Sequence, residues 1–239
     1  MIASDVAPTL LLREDAKEAL GLDARIAATI KDLLLHPVRI TRAWLAGDRS
    51  RYVAALRVFF TLGAAYMLAL SILNPYSFDP RDRTAAGFDA RTADRIAGII
   101  RERGVDPELV AERFQSRMNT AIPVVVALAL FPMVGVLMLL RRSEGWYQHF
   151  VFMLGFSNAV WLLTLLMLPL AVWNDRVYAL IALILIYVYL GVGYFAFYRE
   201  RTPLKTTSKF VLFAVADFVV TNVVQLPLMW LIFLSALRF

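Results

Sequence analysis

Asp217 is the residue whose type and position most strongly suggest a chemical role. It lies in an apolar segment, eight residues after Lys209, which corresponds to about 12 Å along a helix. A carboxylate at that depth in a membrane costs at least about 2.5 kcal/mol on insertion unless it is paired or protonated. Thr221 and Gln225 follow four and eight residues later, so the three side chains share one helix face. We expect this face, the Asp217 stripe, to point into a helix bundle rather than toward lipid.

Three interpretations of the Asp217 stripe remain open. Its polar side chains can join helices by hydrogen bonds. They can instead line a path for a proton, an ion or a solute. Asp217 can also pair with a buried cation such as Arg57, or bind a partner subunit. Asn158, in an earlier apolar segment, is a further candidate, either to face the stripe or to bond a neighbouring helix.

The other residues form no recognisable catalytic or metal-binding pattern. The chain has no cysteine, which excludes disulfides, thiolate nucleophiles and cysteine-ligated metals. Its only histidines, His36 and His149, leave almost nothing for a histidine metal site. The sequence also lacks the HExxH, GxSxG and glycine-rich phosphate-binding motifs. It therefore predicts neither an enzyme nor a protein with a metal or a cofactor.

Composition places these residues in a membrane. Hydrophobic residues make up 60% of the 239-residue chain, against about 45–50% in a soluble domain. Five segments are long and apolar enough to form transmembrane helices. The sequence therefore predicts an all-α polytopic membrane protein with about five transmembrane helices. The expected bundle covers 53–239, with spans at about 53–73, 119–140, 149–173, 177–198 and 209–236.

Basic residues indicate the orientation and the kind of membrane. They follow the second span as Arg141 and Arg142, and they follow the fourth span again, whereas the link between the third and fourth has only Arg176. Because cytoplasmic loops carry the excess of Lys and Arg, this predicts a cytoplasmic N-terminus and an extracytoplasmic C-terminus.

The predominance of Arg over Lys is typical of a GC-rich bacterial genome, so we expect a bacterial inner membrane. With so apolar a chain, the net charge of +6 favours lipid over nucleic acid as the partner.

Residues 1–52 are predicted to form cytosolic or interfacial amphipathic helices. Apolar residues recur at helical spacing over Glu14–Leu35 and again over Val38–Ala46, with Pro37 suited to a first turn and Gly47 to a stop. Trp44 would then anchor the second helix in the headgroup layer. The alternative is a small cytosolic helical pair. The basic residues expected to contact lipid headgroups are Arg49, Arg51, Arg57, Arg141 and Arg142.

The long polar segment 74–118 is predicted to form an extracytoplasmic helical hairpin. Ala93–Arg103 has the pattern of a helix that ends at Gly104. Asp106 would cap a second helix with Pro107 at its first position, and this helix could continue into the second span. The mixed charges of the segment fit either a simple solvated surface or a surface that docks a partner.

Three short motifs carry a resemblance to a known family. Lys31–Pro37 reads KDLLLHP, Gly47–Tyr52 reads GDRSRY, and His149–Leu154 reads HFVFML. The chain resembles a large bacterial family of uncharacterised multi-pass inner-membrane proteins, in which a K-D-L-L-x-x-P helix precedes G-x-R-x-x-Y and a membrane helix. Ala55 and Gly155 stand where family members often have Pro and a second His. The resemblance implies the architecture and no activity.

These observations lead to two expectations of function. The first is a non-catalytic accessory or scaffold subunit that binds other membrane proteins, or a second copy of itself, or organises membrane lipid. The alternative is a small transporter, a channel or a lipid-handling protein that uses Asp217, Thr221 and Gln225. A lipid-headgroup enzyme is a third hypothesis, which lacks a nucleophile–base pair in the sequence.

Overall fold

The computed structural model describes residues 24–73, 90–198 and 202–237, and within these ranges the chain is helical with no strand. Helix α1 covers residues 24–35. The other helices are α2 (Pro37–Leu45), α3 (Ala55–Leu73), α4 (Ala90–Arg103), α5 (Pro107–Leu140), α6 (Trp146–Trp173), α7 (Asp175–Phe197) and α8 (Pro203–Ala236). The predicted all-α class is confirmed for these residues. Predictions on residues 1–23 and 74–89 lie outside them.

Several of the helices could cross a membrane. Among the described residues, α3, α6 and α7 are each long and apolar enough to do so. Helix α5 is a fourth candidate if its two parts form one span, because its axis turns by 46° between Ala121 and Val124. Pro123 lies at this bend and has no backbone N–H to donate. The apolar part of α8, Pro227–Ala236, is shorter, so the described residues show three or four candidate spans and not the five expected.

Helix α6 lies at the centre of the bundle. Helices α3, α5 and α7 pack against it, and α8 packs mainly on α5 and less closely on α7. Aromatic side chains fill much of the core, among them Phe152 of α6, Tyr194 of α7 and Phe213 of α8. By contrast Leu180, Ile184 and Val188 are exposed at a four-residue spacing on α7. An apolar helix face without protein partners is what a lipid-facing helix requires.

Local capping signals in the sequence explain how the helices begin and end. Asn174 separates α6 from α7, and its side chain accepts a hydrogen bond from the Val177 N–H, 3.0 Å away. Asp106 caps α5 in the predicted way by accepting the Glu108 N–H. Gly47 follows α2 with a φ of 73°, a left-handed conformation that favours glycine.

Residues 24–54, which we call the elbow, pack against α6 and α7. Thr41 of α2 lies so close to Gly155 of α6 that a Cβ built there would be 2.7 Å from Thr41 Oγ1. Tyr189 of α7 donates a hydrogen bond to the Leu33 carbonyl. Trp44 is buried, and its Nε1–H donates to the Val53 carbonyl at 2.9 Å. This differs from the expected anchor in the headgroup layer, since the indole is enclosed by protein.

Candidate functional site

A cavity of about 350 Å³ lies where α5, α6, α7 and α8 meet. Most of the side chains that line it are apolar. Four polar residues also line it, and they come from three of the helices. These residues are Ser157, Tyr187, Asp217 and Thr221. Two members of the Asp217 stripe, Asp217 and Thr221, thus line one cavity.

Asp217 faces this cavity together with Tyr187. The Tyr187 hydroxyl of α7 donates a hydrogen bond to Asp217 Oδ2 of α8, with 3.2 Å between the oxygens. Asp217 is half-buried, while Thr221, one turn later, is exposed at its edge of the cavity. Gln225 belongs to α8 by its backbone, and its side chain lies outside the described residues. The pair places one hydroxyl donor and one carboxylate on an otherwise apolar wall.

The apolar part of the wall is rich in methionine. Met118 and Met133 of α5, Met153 of α6 and Met229 of α8 all line the cavity, and Phe156 adds an aromatic ring. No Lys or Arg occurs among the described lining residues. Methionine is unbranched and polarisable, so a wall of this composition adapts to ligands of different shape.

Neither Asn158 nor Arg57 joins the Asp217 stripe. Asn158 is fully buried, but its Nδ2 donates to the Ala55 carbonyl at the start of α3, 3.0 Å away. Asn158 was expected either to face the stripe or to bond a neighbouring helix, and in the structure it bonds α6 to the start of α3. Arg57 is exposed on α3, and the partner that the structure shows for Asp217 is Tyr187. The expected pair of Arg57 with Asp217 is not formed.

A second polar cluster, which the sequence reasoning missed, holds the elbow together. Asp32 of α1 is 1% exposed, and its carboxylate accepts hydrogen bonds from Tyr52 and Arg39. Arg51 lies 3.8 Å from the same carboxylate. Burial acts to raise the pKa of Asp32, but these hydrogen bonds and the two positive charges outweigh it and lower the pKa below its usual value. The spacing of Thr29, Asp32 and Leu33 on one helix face was the available signal.

A third cluster joins the ends of α5, α6 and α7. His149 is fully buried and lies 2.8 Å from the Tyr198 hydroxyl through Nδ1 and 3.2 Å from the Arg141 carbonyl through Nε2. The Arg141 guanidinium lies over the Tyr198 ring and 3.4 Å from Glu144. These contacts fit a structural role for His149. They also bury Arg141, which was expected to contact lipid, whereas Arg142 is exposed.

The remaining interfacial arginines keep their side chains at the surface. Arg49 is exposed and lines a pocket of about 200 Å³ between the elbow and the start of α6. Arg51 is about half-exposed beside Asp32, and Arg57 is exposed at the first turn of α3. All three lie close to the beginning of α3, where a lipid headgroup could reach them.

No potential metal site occurs within the described ranges, where no group of three or more acidic or histidine side chains comes together. The chemistry that the cavity offers is therefore that of its side chains: one carboxylate, three hydroxyl groups and a deformable apolar wall. Such an arrangement can bind a ligand, orient it and complement its charge.

Comparison with known proteins relates only the N-terminal part of the chain to others. No curated protein and no solved structure is significantly similar to it. Residues 23–67 match the model of a family described as a protein of unknown function, DUF3667. The match covers the elbow with its Asp32 cluster and the first part of α3, and the cavity lies outside it. The elbow is thus the part of this chain that is similar to an uncharacterised family.

Proposed function

We propose that this protein is a non-catalytic integral membrane protein that holds an amphiphilic ligand in the cavity between α5, α6, α7 and α8. The single observation that carries the proposal is the Asp217–Tyr187 hydrogen bond on the wall of this apolar cavity. In this proposal the Asp217 stripe serves lipid handling or small-solute transport. This is the second of the two functions expected from the sequence.

The composition of the cavity supports binding. Ligand pockets are typically concave and mostly apolar, with a few polar groups that fix the orientation of the ligand. Ionisable residues inside a membrane are costly, and they commonly mark substrate or ion paths. Asp217 would simply be a disadvantage in a helix that needed only to pack, because Asn158 shows that an amide suffices to join helices here.

The edge of the cavity supports entry from the side. Leu183 of α7 and Thr221 of α8 both line the cavity and are also exposed on the outside of the bundle. The neighbouring outer surface is apolar, with Val215 and Phe218 exposed on α8. A ligand dissolved in the bilayer would therefore reach Asp217 between α7 and α8 without first crossing an aqueous loop.

The membrane arrangement is part of the proposal. We take α8 as a fifth span, with Lys205 and Lys209 at its cytoplasmic end. The N-terminus and the elbow then lie on the cytoplasmic side of a bacterial inner membrane, and the segment 74–118 and the C-terminus lie on the other side. Two of the three motifs that carry the proposed relation to a family of multi-pass inner-membrane proteins, KDLLLHP and GDRSRY, lie within the residues that the DUF3667 model matches.

A scaffold or accessory subunit is the second candidate function. The observation that favours it is a separate hydrophobic core at one end of the molecule, formed by α4, the first half of α5 and the end of α8. Phe114 and Phe233 are buried there, and Arg95 lies over the Trp230 ring. An ordered unit of this kind gives a rigid surface for another membrane protein or for a second copy of this chain.

Reconstitution of the Asp217→Asn variant tests the proposed function. The purified protein is placed in vesicles, flux of protons, small ions and labelled lipid is measured, and native mass spectrometry identifies molecules that copurify. We expect the wild type to carry a bound amphiphile or to move one of these species, and Asp217→Asn to lose this property while it folds and assembles normally. Glu102→Gln, which removes an exposed carboxylate of α4, is the matched control.

Two outcomes would contradict the proposal. An empty wild-type protein that moves nothing would remove the case for a ligand in the cavity. A stoichiometric partner or a defined oligomer that is lost in Asp217→Asn would instead make Asp217 an assembly residue, and it would favour the scaffold function.

A further inference from the structure

We infer that the ligand of this cavity is a lipophilic cation, an organic molecule that carries one positive charge on an apolar body. The inference rests on the proposed function and narrows it to one chemical class. It depends on the charge of the cavity, on the number of its polar atoms and on the nature of its wall.

The charge of the cavity selects a cation. Asp217 is the only ionisable acid among the described lining residues, and no Lys or Arg lines the cavity to compensate it. Tyr187 donates one hydrogen bond to Oδ2, whereas a carboxylate has two oxygens and about four acceptor positions. Surroundings of low dielectric constant disfavour a lone carboxylate, so the charged form of Asp217 is stabilised by a ligand that brings a positive charge and not by an anionic one.

The few polar side-chain atoms do not fit calcium or magnesium as the preferred ligand. Besides the carboxylate, only the hydroxyl groups of Ser157, Tyr187 and Thr221 line the described cavity as side-chain oxygens. A calcium ion takes six to eight oxygen ligands, and magnesium needs near-ideal octahedral geometry. An organic cation spreads its charge over apolar substituents, so one carboxylate and a few hydroxyls suffice for it.

The wall of the cavity suits the apolar body of such a molecule. Phe156 and Tyr187 offer aromatic rings, which attract cations through their π systems. The four methionines adapt to different shapes. Because the wall is deformable and the charge is fixed at Asp217, selectivity should depend on the sign of the ligand charge more than on the exact outline of the ligand.

Tetraphenylphosphonium and tetraphenylborate provide a direct test, because they share one shape and carry opposite charges. Equilibrium dialysis with the full-length protein in detergent, against protein-free micelles as a blank, measures saturable binding of each. We expect saturable binding of tetraphenylphosphonium and none of tetraphenylborate. Asp217→Asn should weaken binding of the cation by about tenfold or more, because it removes the only carboxylate among the described lining residues. Glu102→Gln should leave it unchanged.

A cavity-filling variant separates this inference from the proposed function. Ala129 of α5 lines the cavity, so Ala129→Phe should block ligands of either sign. If both probes bind equally, are lost in Ala129→Phe and are unaffected in Asp217→Asn, the cavity binds ligands but the inferred preference for cations is wrong. If cation binding survives both variants, or if the wild type binds no cation, the inference is overturned, and the flux and copurification experiments decide the proposed function alone.

Discussion

Asp32 is almost completely enclosed, yet its carboxylate has a hydroxyl donor and two guanidinium groups around it. Tyr52, twenty residues later in the chain, contributes the hydroxyl and is itself 2% exposed. A buried carboxylate that loses its hydrogen bonds is strongly destabilising, because the cost of its desolvation is then no longer offset. All of these groups belong to the elbow. The cluster therefore stabilises the elbow independently of its contacts with α6 and α7.

The elbow should consequently open at both extremes of pH. The pKa of Asp32 is lowered in the folded state, so its stabilisation is complete above the unfolded value of about 3.9 and is lost as the pH falls through the folded value. Burial and the neighbouring Asp32 raise the pKa of Tyr52, so its stabilisation is complete below about pH 10 and is lost as the pH rises further. Hydrogen exchange of residues 24–54, corrected for intrinsic rates, measures both transitions.

Two conservative variants assign these transitions to their side chains. Asp32→Asn should remove the acid transition, and Tyr52→Phe should remove the alkaline one, each in an elbow that is less protected at neutral pH. Glu102→Gln removes an exposed carboxylate of α4, outside the elbow, and it is the control. An acid transition that persists in Asp32→Asn would contradict the assignment.

Sequence reasoning at this scale found Asp217 and missed its partner. A lone carboxylate in an apolar segment is easy to recognise in the sequence, because inserting it into a membrane is costly unless it is paired or protonated. Tyr187 becomes its hydrogen-bond donor only through the register of α7 against α8, which periodicity does not specify. Asp32 was missed for the opposite reason, since an acid beside Lys31 in a polar N-terminal segment resembles an ordinary surface residue.

At the scale of the helix, the approach of α2 to α6 depends on the absence of a side chain at Gly155. A Cβ at this position would lie 2.7 Å from Thr41 Oγ1 and 3.4 Å from the Trp44 ring. Thr41 cannot easily turn away, because its hydroxyl donates to the Pro37 carbonyl at 2.7 Å and the residue is buried. The Gly155 that departs from the resembled family's pattern is thus a point where α2 packs tightly against α6.

Gly155→Ala should therefore displace the elbow from α6. We expect faster hydrogen exchange over residues 24–54 and little change in α5 or α8, because the clash is local. Gly193→Ala is the control, since a Cβ there would meet only Phe152 at an ordinary 3.9 Å. Adding Thr41→Ala to Gly155→Ala removes the opposing hydroxyl and should restore protection, which a double-mutant cycle would show as a favourable coupling.

The boundaries of the helices were largely predictable from the sequence. Which helices pack against one another was not. The stops and caps at Gly47, Asp106 and Asn174 are local chemistry, and all three are found at the ends of helices. Trp44 shows the limit of this reasoning. An indole in a short amphipathic helix is equally suited to a lipid surface and to a protein groove, and only the position of α6 decides between them.

At the scale of the whole molecule, the proposed five spans and their proposed orientation predict which residues are accessible from each side of the membrane. Because the chain has no cysteine, single cysteines can be introduced without a background. We expect cysteines at Ser50, Ser143 and Thr202 to react with an impermeant thiol reagent only from the cytoplasmic side. Those at Glu102 and Trp173 should react from the opposite side. All five residues are exposed in the structure.

A cysteine added after Phe239 completes this experiment. If α8 crosses the membrane, this position should react on the same side as Glu102. Reaction on the side of Ser50 would reduce the number of spans to four and would place the C-terminus in the cytoplasm. The cavity around Asp217 could not be predicted from the sequence, since its walls come from four helices whose mutual packing no single segment of sequence specifies.

The contact of the elbow with α7 has a consequence for biosynthesis. Leu33 accepts its hydrogen bond from Tyr189, which is 156 residues further along the chain, and Arg42 reaches the Ala196 carbonyl. A ribosome adds residues at about 5–20 per second, and non-local contacts form only after their distant partners exist. The elbow emerges early but must wait many seconds for α7 to be made. Nascent chains stalled before α6 should hold the elbow undocked, so α1 and α2, although translated before the bundle, are among the last helices to reach their final place.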